Sequence, residues 1–172
     1  MPDRTEFIEV LGRAERRLTR ALTTVLGLGL IGMVVVNVAN AIGRYGDFTT
    51  LIGADELLVF SMIWIVMLGA IVATRQRAHL SIDLLPASLA PRAARLLRAA
   101  TGAVMAGVAG FVAWQSWAFI ERIGALGQTS MGLGVPMVVP HAAIFVGFAG
   151  IGVVAGILTL GDLLCADRKD GE

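Results

Sequence analysis

Few residues in this chain have the chemistry of a catalytic or metal-binding site, and they lie far apart in sequence. Asp55 and Glu56 form an acidic pair, His79 and Asp83 follow further on, and His141 is the only other histidine. Carboxylates and imidazoles supply general acids, general bases and metal ligands, but only where several of them converge. The long apolar stretches between these residues predict that the two histidines lie on opposite sides of a membrane. We therefore expect no metal site and no catalytic dyad to form from them.

Other catalytic signatures are missing from the sequence as well. There is no GxSxG motif and no phosphate-binding glycine loop. The single cysteine, Cys165, excludes an internal disulfide or a CxxC pair, and its expected role is that of a small apolar residue near a helix end. We predict that the chain is not an enzyme and binds no cofactor.

The acidic pair and the histidine segment each have a structural explanation. Carboxylates in the first turn of a helix meet the positive end of the helix dipole and its unpaired N–H groups, which contributes about 0.3 to 1 kcal/mol each. A docking contact for a soluble protein outside the membrane is the alternative for Asp55 and Glu56. His79 and Asp83 are expected to brace the turn that follows the same helix.

Long apolar segments surround these residues and predict membrane helices. Of the 172 residues, 56% are hydrophobic and 16% are charged, a balance typical of membrane proteins rather than of soluble domains. Four apolar runs lack Asp, Glu, Lys and Arg, and each is long enough to span a bilayer as a helix. We therefore predict an all-α integral membrane protein with four transmembrane helices. The predicted spans of this membrane domain (21–161) are 21–41, 57–74, 99–120 and 135–161.

The basic residues predict the direction in which these helices cross the membrane. Of the 14 Lys and Arg residues, all but Arg44 and Arg122 lie in the N-terminal segment, between spans two and three, or in the tail 162–172. Because basic loops stay in the cytoplasm, both termini are predicted to be cytoplasmic. A signal peptide cleaved near Ala39-Asn40-Ala41 is the competing interpretation. The apolar run is longer than the roughly 7–15 residues of a signal peptide, so we favour a retained first helix.

Two basic segments predict short amphipathic helices on the inner membrane surface. Residues 1–20 place apolar side chains at helical spacing with arginines on the other faces, although a solvated tail that orders only near Arg20 is an alternative. Residues 91–98 begin with Pro91, which suits a first helical turn, and are expected to run into span three. We interpret the arginines as anchors to membrane lipids rather than nucleic-acid ligands. The predicted anchors are Arg13, Arg16, Arg17, Arg92, Arg95 and Arg98.

Inside the spans, the residue types suit helix packing better than transport. Ion-coupled carriers usually keep an ionisable residue within a span, and these spans contain no Asp, Glu, Lys or Arg. Asn37 and Asn40 share one side of span one and are expected to hydrogen-bond to a neighbouring helix. Small residues recur every four positions in spans three and four, which predicts close helix packing. These rows are Gly102, Ala106 and Gly110, and Gly152 with Gly156.

Several motifs, in their order and spacing, resemble a known family of transporter subunits. An acidic pair precedes span two, the span carries a W-x3-LGA core, and a basic residue and a His-x-x-x-Asp segment follow it. Over roughly residues 18–162 the chain resembles the small membrane subunit of tripartite ATP-independent periplasmic (TRAP) transporters. The matching segments are Arg44-Tyr45, Asp55-Glu56, Trp64 to Ala70, Arg75, His79 to Asp83, and Thr129 to Pro136 with Pro140.

The resemblance implies a division of labour among three proteins in and at the bacterial inner membrane. A large polytopic membrane subunit binds the solute and sodium ions and moves in an elevator-like fashion. A periplasmic substrate-binding protein delivers the solute, typically an organic acid such as a dicarboxylate. The small subunit braces the static scaffold of its large partner and binds no substrate itself.

Two other functions remain as alternatives to a transporter subunit, and the resemblance also implies two sets of contact residues. The alternatives are a self-sufficient homo-oligomeric carrier or channel, and a membrane anchor or assembly factor of another complex. The expected large-subunit interface comprises Trp64, Gly69, Arg75, His79 and Asp83. The expected periplasmic docking residues are Asp55, Glu56 and Arg122, with the loop to Ser130.

Overall fold

Four long helices account for most of the chain. The computed structural model describes residues 4–45, 53–76 and 91–167. All four helices are long and apolar enough to cross a membrane, which confirms the predicted all-α architecture with four spans. His79, Asp83 and the last five residues lie outside the described part. The helices are α1 (Arg4–Tyr45), α2 (Ala54–Arg75), α3 (Pro91–Leu126) and α4 (Val138–Asp167).

Two helices extend well beyond the predicted spans at their basic ends. α1 runs without a break from Arg4 through the predicted boundary at Arg20, so the amphipathic segment and the first span form one helix. α3 begins at Pro91 and continues through the predicted interfacial segment into the third span. Pro91 suits the first helical position, because the N–H of a residue there has no intrahelical partner and proline loses nothing by lacking one.

The starts of α2 and α4 depend on turn chemistry. Gly53 precedes α2 with φ +82°, a left-handed conformation that glycine adopts without a Cβ clash. α4 starts at Val138, three residues later than the predicted span, because Val135 takes part in a tight turn. In that turn the Ser130 N–H donates to the Val135 carbonyl at 2.9 Å.

The helices lie in an open row. α1 packs on α2, α2 packs on α4, and α4 packs on α3. Among the described residues no other two helices pack together, so the spatial order is α1, α2, α4, α3. A closed four-helix bundle would give every helix at least two neighbours, whereas here α1 and α3 form the edges.

Small residues set the close approach of α4 to its neighbours, although Gly156, which the sequence placed in one row with Gly152, has nothing within 4 Å of a built Cβ. Gly152 of α4 lies against Ala106, Ala109 and Gly110 of α3, and a Cβ built at Gly102 would collide with the Thr159 hydroxyl of α4. On the other side of α4, the side chain of Met67 of α2 packs on Gly147, and that of Ile71 packs on Gly150. In lipid, such contacts replace the hydrophobic effect as the force that holds helices together.

The open row leaves large apolar side chains uncovered. Each helix presents several of them that are about half exposed or more, and the edge helix α1 presents the longest series. Lipid or a partner must cover these surfaces, since the chain itself does not. Examples are Val25, Leu28 and Val35 of α1, Val66 of α2, Val104 of α3 and Val153 of α4.

Candidate functional site

Polar contacts concentrate on the side of the molecule where α1 and α3 end and α2 and α4 begin. We call this side, which carries Asp55 and Glu56, the acidic end. The Asp55 carboxylate forms an ion pair with Arg44, with 3.1 Å between Nη2 and Oδ2. Its other oxygen accepts a longer hydrogen bond, 3.5 Å, from the Asn40 side chain. Asp55 thus ties the first turn of α2 to the last turns of α1. Both charged side chains of the ion pair remain more than half exposed, so the pair contributes little to stability by itself.

Glu56 holds the loop between α3 and α4. Its carboxylate accepts hydrogen bonds from the backbone N–H groups of Gly132 at 2.8 Å and of Leu133 at 2.9 Å. Each N–H reaches a different carboxylate oxygen, so the side chain grips two consecutive peptide groups. The two acidic neighbours therefore act in different directions, Asp55 toward α1 and Glu56 toward the loop.

The loop from Gly127 to Met137 has a defined turn structure, held by hydrogen bonds within the loop. Ser130 contributes both its backbone and its hydroxyl, which accepts a hydrogen bond from the Val135 N–H at 3.2 Å. Gly134 adopts φ +66°, which a larger residue would adopt only with strain. The loop is therefore a defined surface at the acidic end rather than a simple connection.

Next to this loop, α3 and α4 border a cleft of about 560 Å³. His141 lies in its wall, with Nδ1 2.6 Å from the Met137 carbonyl and its ring 5.0 Å from that of Phe119. Because a carbonyl only accepts, Nδ1 carries the proton. Arg122 lines the cleft from α3 and forms no ion pair with any residue that the structure describes. Other lining residues are Phe111, Gln115 and Ile144.

The residues expected at the large-subunit interface do not share one side of α2. Ile65 faces α1, where it lies 3.2 Å from a Cβ built at Gly29, while Ile71 faces α4. Trp64 is half-buried and lies almost in line with Ile71, whereas Gly69 is one turn from Ile65. A Cβ at Gly69 would meet nothing within 4 Å, so this position is open to a partner. Arg75 is exposed in the last turn of α2.

The predicted lipid anchors are only partly described. Arg13 and Arg17 are exposed on α1. Arg95 is half-buried near the start of α3, and Arg98 is exposed one turn later. The side chains of Arg16 and Arg92 lie outside the described part. The anchoring role stays a prediction, although the described side chains lie at the helix ends opposite the acidic end.

Two contacts at the acidic end were not predicted from the sequence. The pairing of Arg44 with Asp55 had a signal, since opposite charges end one helix and begin the next. The hydrogen bonds from Gly132 and Leu133 to Glu56 had no sequence signal, because they join a side chain to backbone N–H groups in a distant segment. Within the described residues no three His, Cys, Asp or Glu side chains come together as a metal site would require.

Comparison with known proteins agrees with this architecture. Residues 33–165, most of the chain, match the family described as tripartite ATP-independent periplasmic transporters, DctQ component. A search of curated proteins gave no match. The matched region includes the acidic end, the tight loop, the C-terminal part of the first span and the other three spans. The chain therefore belongs to the DctQ family, the small membrane component of TRAP transporters, and is a multi-pass protein of the inner membrane.

Proposed function

We propose that this chain is the scaffold subunit that braces a large elevator-type membrane subunit during sodium-coupled uptake of an organic acid. The open row of helices is the observation that carries the proposal. An isolated solute carrier needs an enclosed polar pathway, and the four predicted spans contain no Asp, Glu, Lys or Arg to line one. A row with broad uncovered apolar faces instead offers the wide, rigid contact that an immobile brace requires.

The family supports the same set of partners. A DctQ component is one membrane part of a tripartite transporter, so a large membrane subunit and a periplasmic binding protein are the expected partners. The bias of Lys and Arg supports cytoplasmic termini, and with that orientation the acidic end would lie on the periplasmic side. The periplasmic protein would then dock on the tight loop and the exposed ends of α2 and α3, near Asp55, Glu56 and Arg122.

Purification and transport measurements test the bracing role. The chain, tagged at its C-terminus, is purified from its native membranes in mild detergent, and the bound proteins are identified by mass spectrometry. We expect a stoichiometric large polytopic subunit. Vesicles containing both membrane subunits should take up an organic acid only with the binding protein and a sodium gradient. A homo-oligomer that transports solute without any partner would contradict the proposal.

Variants at open glycines test where the partner binds. Gly69→Leu adds a side chain where this chain leaves space, so the fold of the isolated subunit should survive while the amount of co-purified large subunit falls. Gly107→Leu on α3 is the matched control, because Gly107 is equally open but is not an expected contact. Trp64→Ala probes the α4 side of α2 in the same way. Unchanged assembly in both Gly69→Leu and Trp64→Ala would exclude this interface.

A charge reversal tests docking of the periplasmic protein. Arg122→Glu at the acidic end should weaken binding of the periplasmic protein to the assembled membrane complex. Arg98→Glu, at an exposed arginine near the other end of α3, is the control and should leave that binding unchanged. Equal binding by the two variants would remove Arg122 from the docking surface.

A further inference from the structure

An asparagine side chain is exposed on α1 inside its membrane span. Asn37 lies on the surface of α1, and no residue that the structure describes forms a hydrogen bond with its amide. An amide has two donors and an acceptor. In water these groups would bind solvent, but hydrocarbon offers no such partner, so an exposed amide there is costly.

The length of α1 places Asn37 within the hydrocarbon rather than at its edge. The apolar part of α1, Thr19–Tyr45, has 27 residues. At about 1.5 Å per residue it is about 40 Å long, roughly 10 Å more than the hydrocarbon core. A centred helix therefore extends about three residues beyond the core at each end. Asn37 is about two turns before Tyr45, so it lies roughly 7 Å below the core surface.

A second unsatisfied amide lies nearby on the same helix. Asn40 is 7% exposed, and its Oδ1 is buried without any hydrogen-bond partner. Its Nδ2 makes only the long contact to Asp55. Residues three apart are neighbours on a helix surface, so Asn37 and Asn40 form one polar strip between the packed side of α1 and its exposed side.

Apolar residues continue the exposed side of α1 beyond this strip. Val34 lies about one turn and Leu30 about two turns before Asn37, and they are 56% and 53% exposed. Gly27 adds a position with no atom within 4 Å of a built Cβ. This surface combines apolar side chains, a small residue and an amide, which is the composition of an interface between transmembrane helices.

We infer that the side of α1 carrying Asn37 packs against a transmembrane helix of the large subunit, whose polar side chain or carbonyl hydrogen-bonds to the Asn37 amide. The inference rests on the proposed function and names a contact surface for it. Lipid tails can cover Leu30 and Val34, but they have no donor or acceptor for an amide. Asn37 lies one turn before Asn40, which faces α2, so a helix bound at Asn37 would lie beside the α1–α2 junction.

Photo-crosslinking in native membranes tests this surface. p-Benzoylphenylalanine replaces either Asn37 or Val35 in the full-length chain, and adducts are identified by mass spectrometry. Val35 is the matched control because it is 60% exposed and two residues away, about 160° around the helix. An adduct with the large subunit from position 37 and little from position 35 supports the inference. An adduct from position 37 with lipid only or with a second copy of this chain overturns it, as do equal yields from both positions.

A substitution series separates the hydrogen bond from simple packing. Asn37→Leu should lower the affinity of the large subunit about threefold to fifteenfold, the range measured for interhelical hydrogen bonds in membranes. Asn37→Gln should restore part of it, and Val35→Leu should have no effect. Equal affinity in Asn37→Leu and the parent chain overturns the inference. If the parent chain retains the large subunit, that failure concerns only this surface, whereas absence of the large subunit from the parent chain refutes the proposed function itself.

Discussion

α4 and α1 occupy opposite positions in the row, and they differ in what holds them. α4 is packed on two sides through glycine and alanine, and Ala143 and Ala155 are almost completely buried. α1 has one neighbour, α2, which approaches it closely at Gly29 and is tied to it through the polar contacts of Asp55. The chain therefore covers two sides of α4 with its own helices, whereas lipid or a partner must cover most of the surface of α1.

The largest effect is expected where α2 and α4 approach each other most closely. A Cβ at Gly150 would lie 2.5 Å from Cδ1 and 2.9 Å from Cγ1 of Ile71, so Gly150→Leu forces α2 and α4 apart. Overpacking of this kind typically costs about 1–3 kcal/mol. Reversible unfolding in detergent should show a loss of that size. Gly156→Leu, on the same helix but in open space, is the control, and an equal loss there would contradict the packing that we describe.

A smaller, local effect is expected at the acidic end. Glu56→Ala removes both acceptors of the Gly132 and Leu133 amides, so hydrogen exchange at these two amides should become faster while exchange within α4 does not change. Glu56→Gln retains one carbonyl oxygen and should give an intermediate rate. If the two amides stay protected in Glu56→Ala, other contacts hold the loop.

The ion pair between α1 and α2 should contribute less. A double-mutant cycle with Arg44→Ala and Asp55→Ala should give a coupling energy of about 0.2–1 kcal/mol, since both side chains are mostly exposed. The coupling should decrease as salt is added. The cycle of Arg122→Ala with Asp55→Ala serves as the control, and coupling of similar size there would mean that the effect is not due to this contact.

The smallest effect should come from the uncovered side of α1. Val34→Ala removes an exposed side chain, so the free energy of unfolding of the isolated subunit should change by less than about 0.5 kcal/mol. Ala155→Leu on α4, where the alanine is 2% exposed, should cost clearly more. Similar changes in both variants would remove the difference between the two helices.

The sequence was sufficient to predict the helices because their signals are local. Each apolar run, Pro91 at the start of α3, and the small-residue rows of α3 and α4 can be recognised within one segment. The spatial order was not predictable, because an apolar helix in lipid carries no amphipathic stripe that points to its neighbour. Nothing in α4 alone indicates that it lies between α2 and α3.

The candidate site was predictable in composition but not in contacts. Asp55 and Glu56 were recognised from their position before an apolar run, but their separate partners depend on how α1 and the distant loop arrive in space. Trp64 and Gly69 were assigned to one interface from a shared motif. They are about 140° apart around α2, so a single partner helix would contact only one of them, and their shared interface stays a prediction.

The spatial order of the row also has a consequence for how the chain enters the membrane. α3 packs only on α4 among the described helices, and α4 follows α3 in the chain and is therefore synthesised after it. When α3 leaves the insertion machinery it therefore has no helix of this chain to pack against. We expect α3 and α4 to assemble first as a helical hairpin, which then docks on α2 through Gly147 and Gly150. A ribosome stalled before α4 should accordingly leave α3 accessible to crosslinking with the insertase, and release should follow only when α4 is complete.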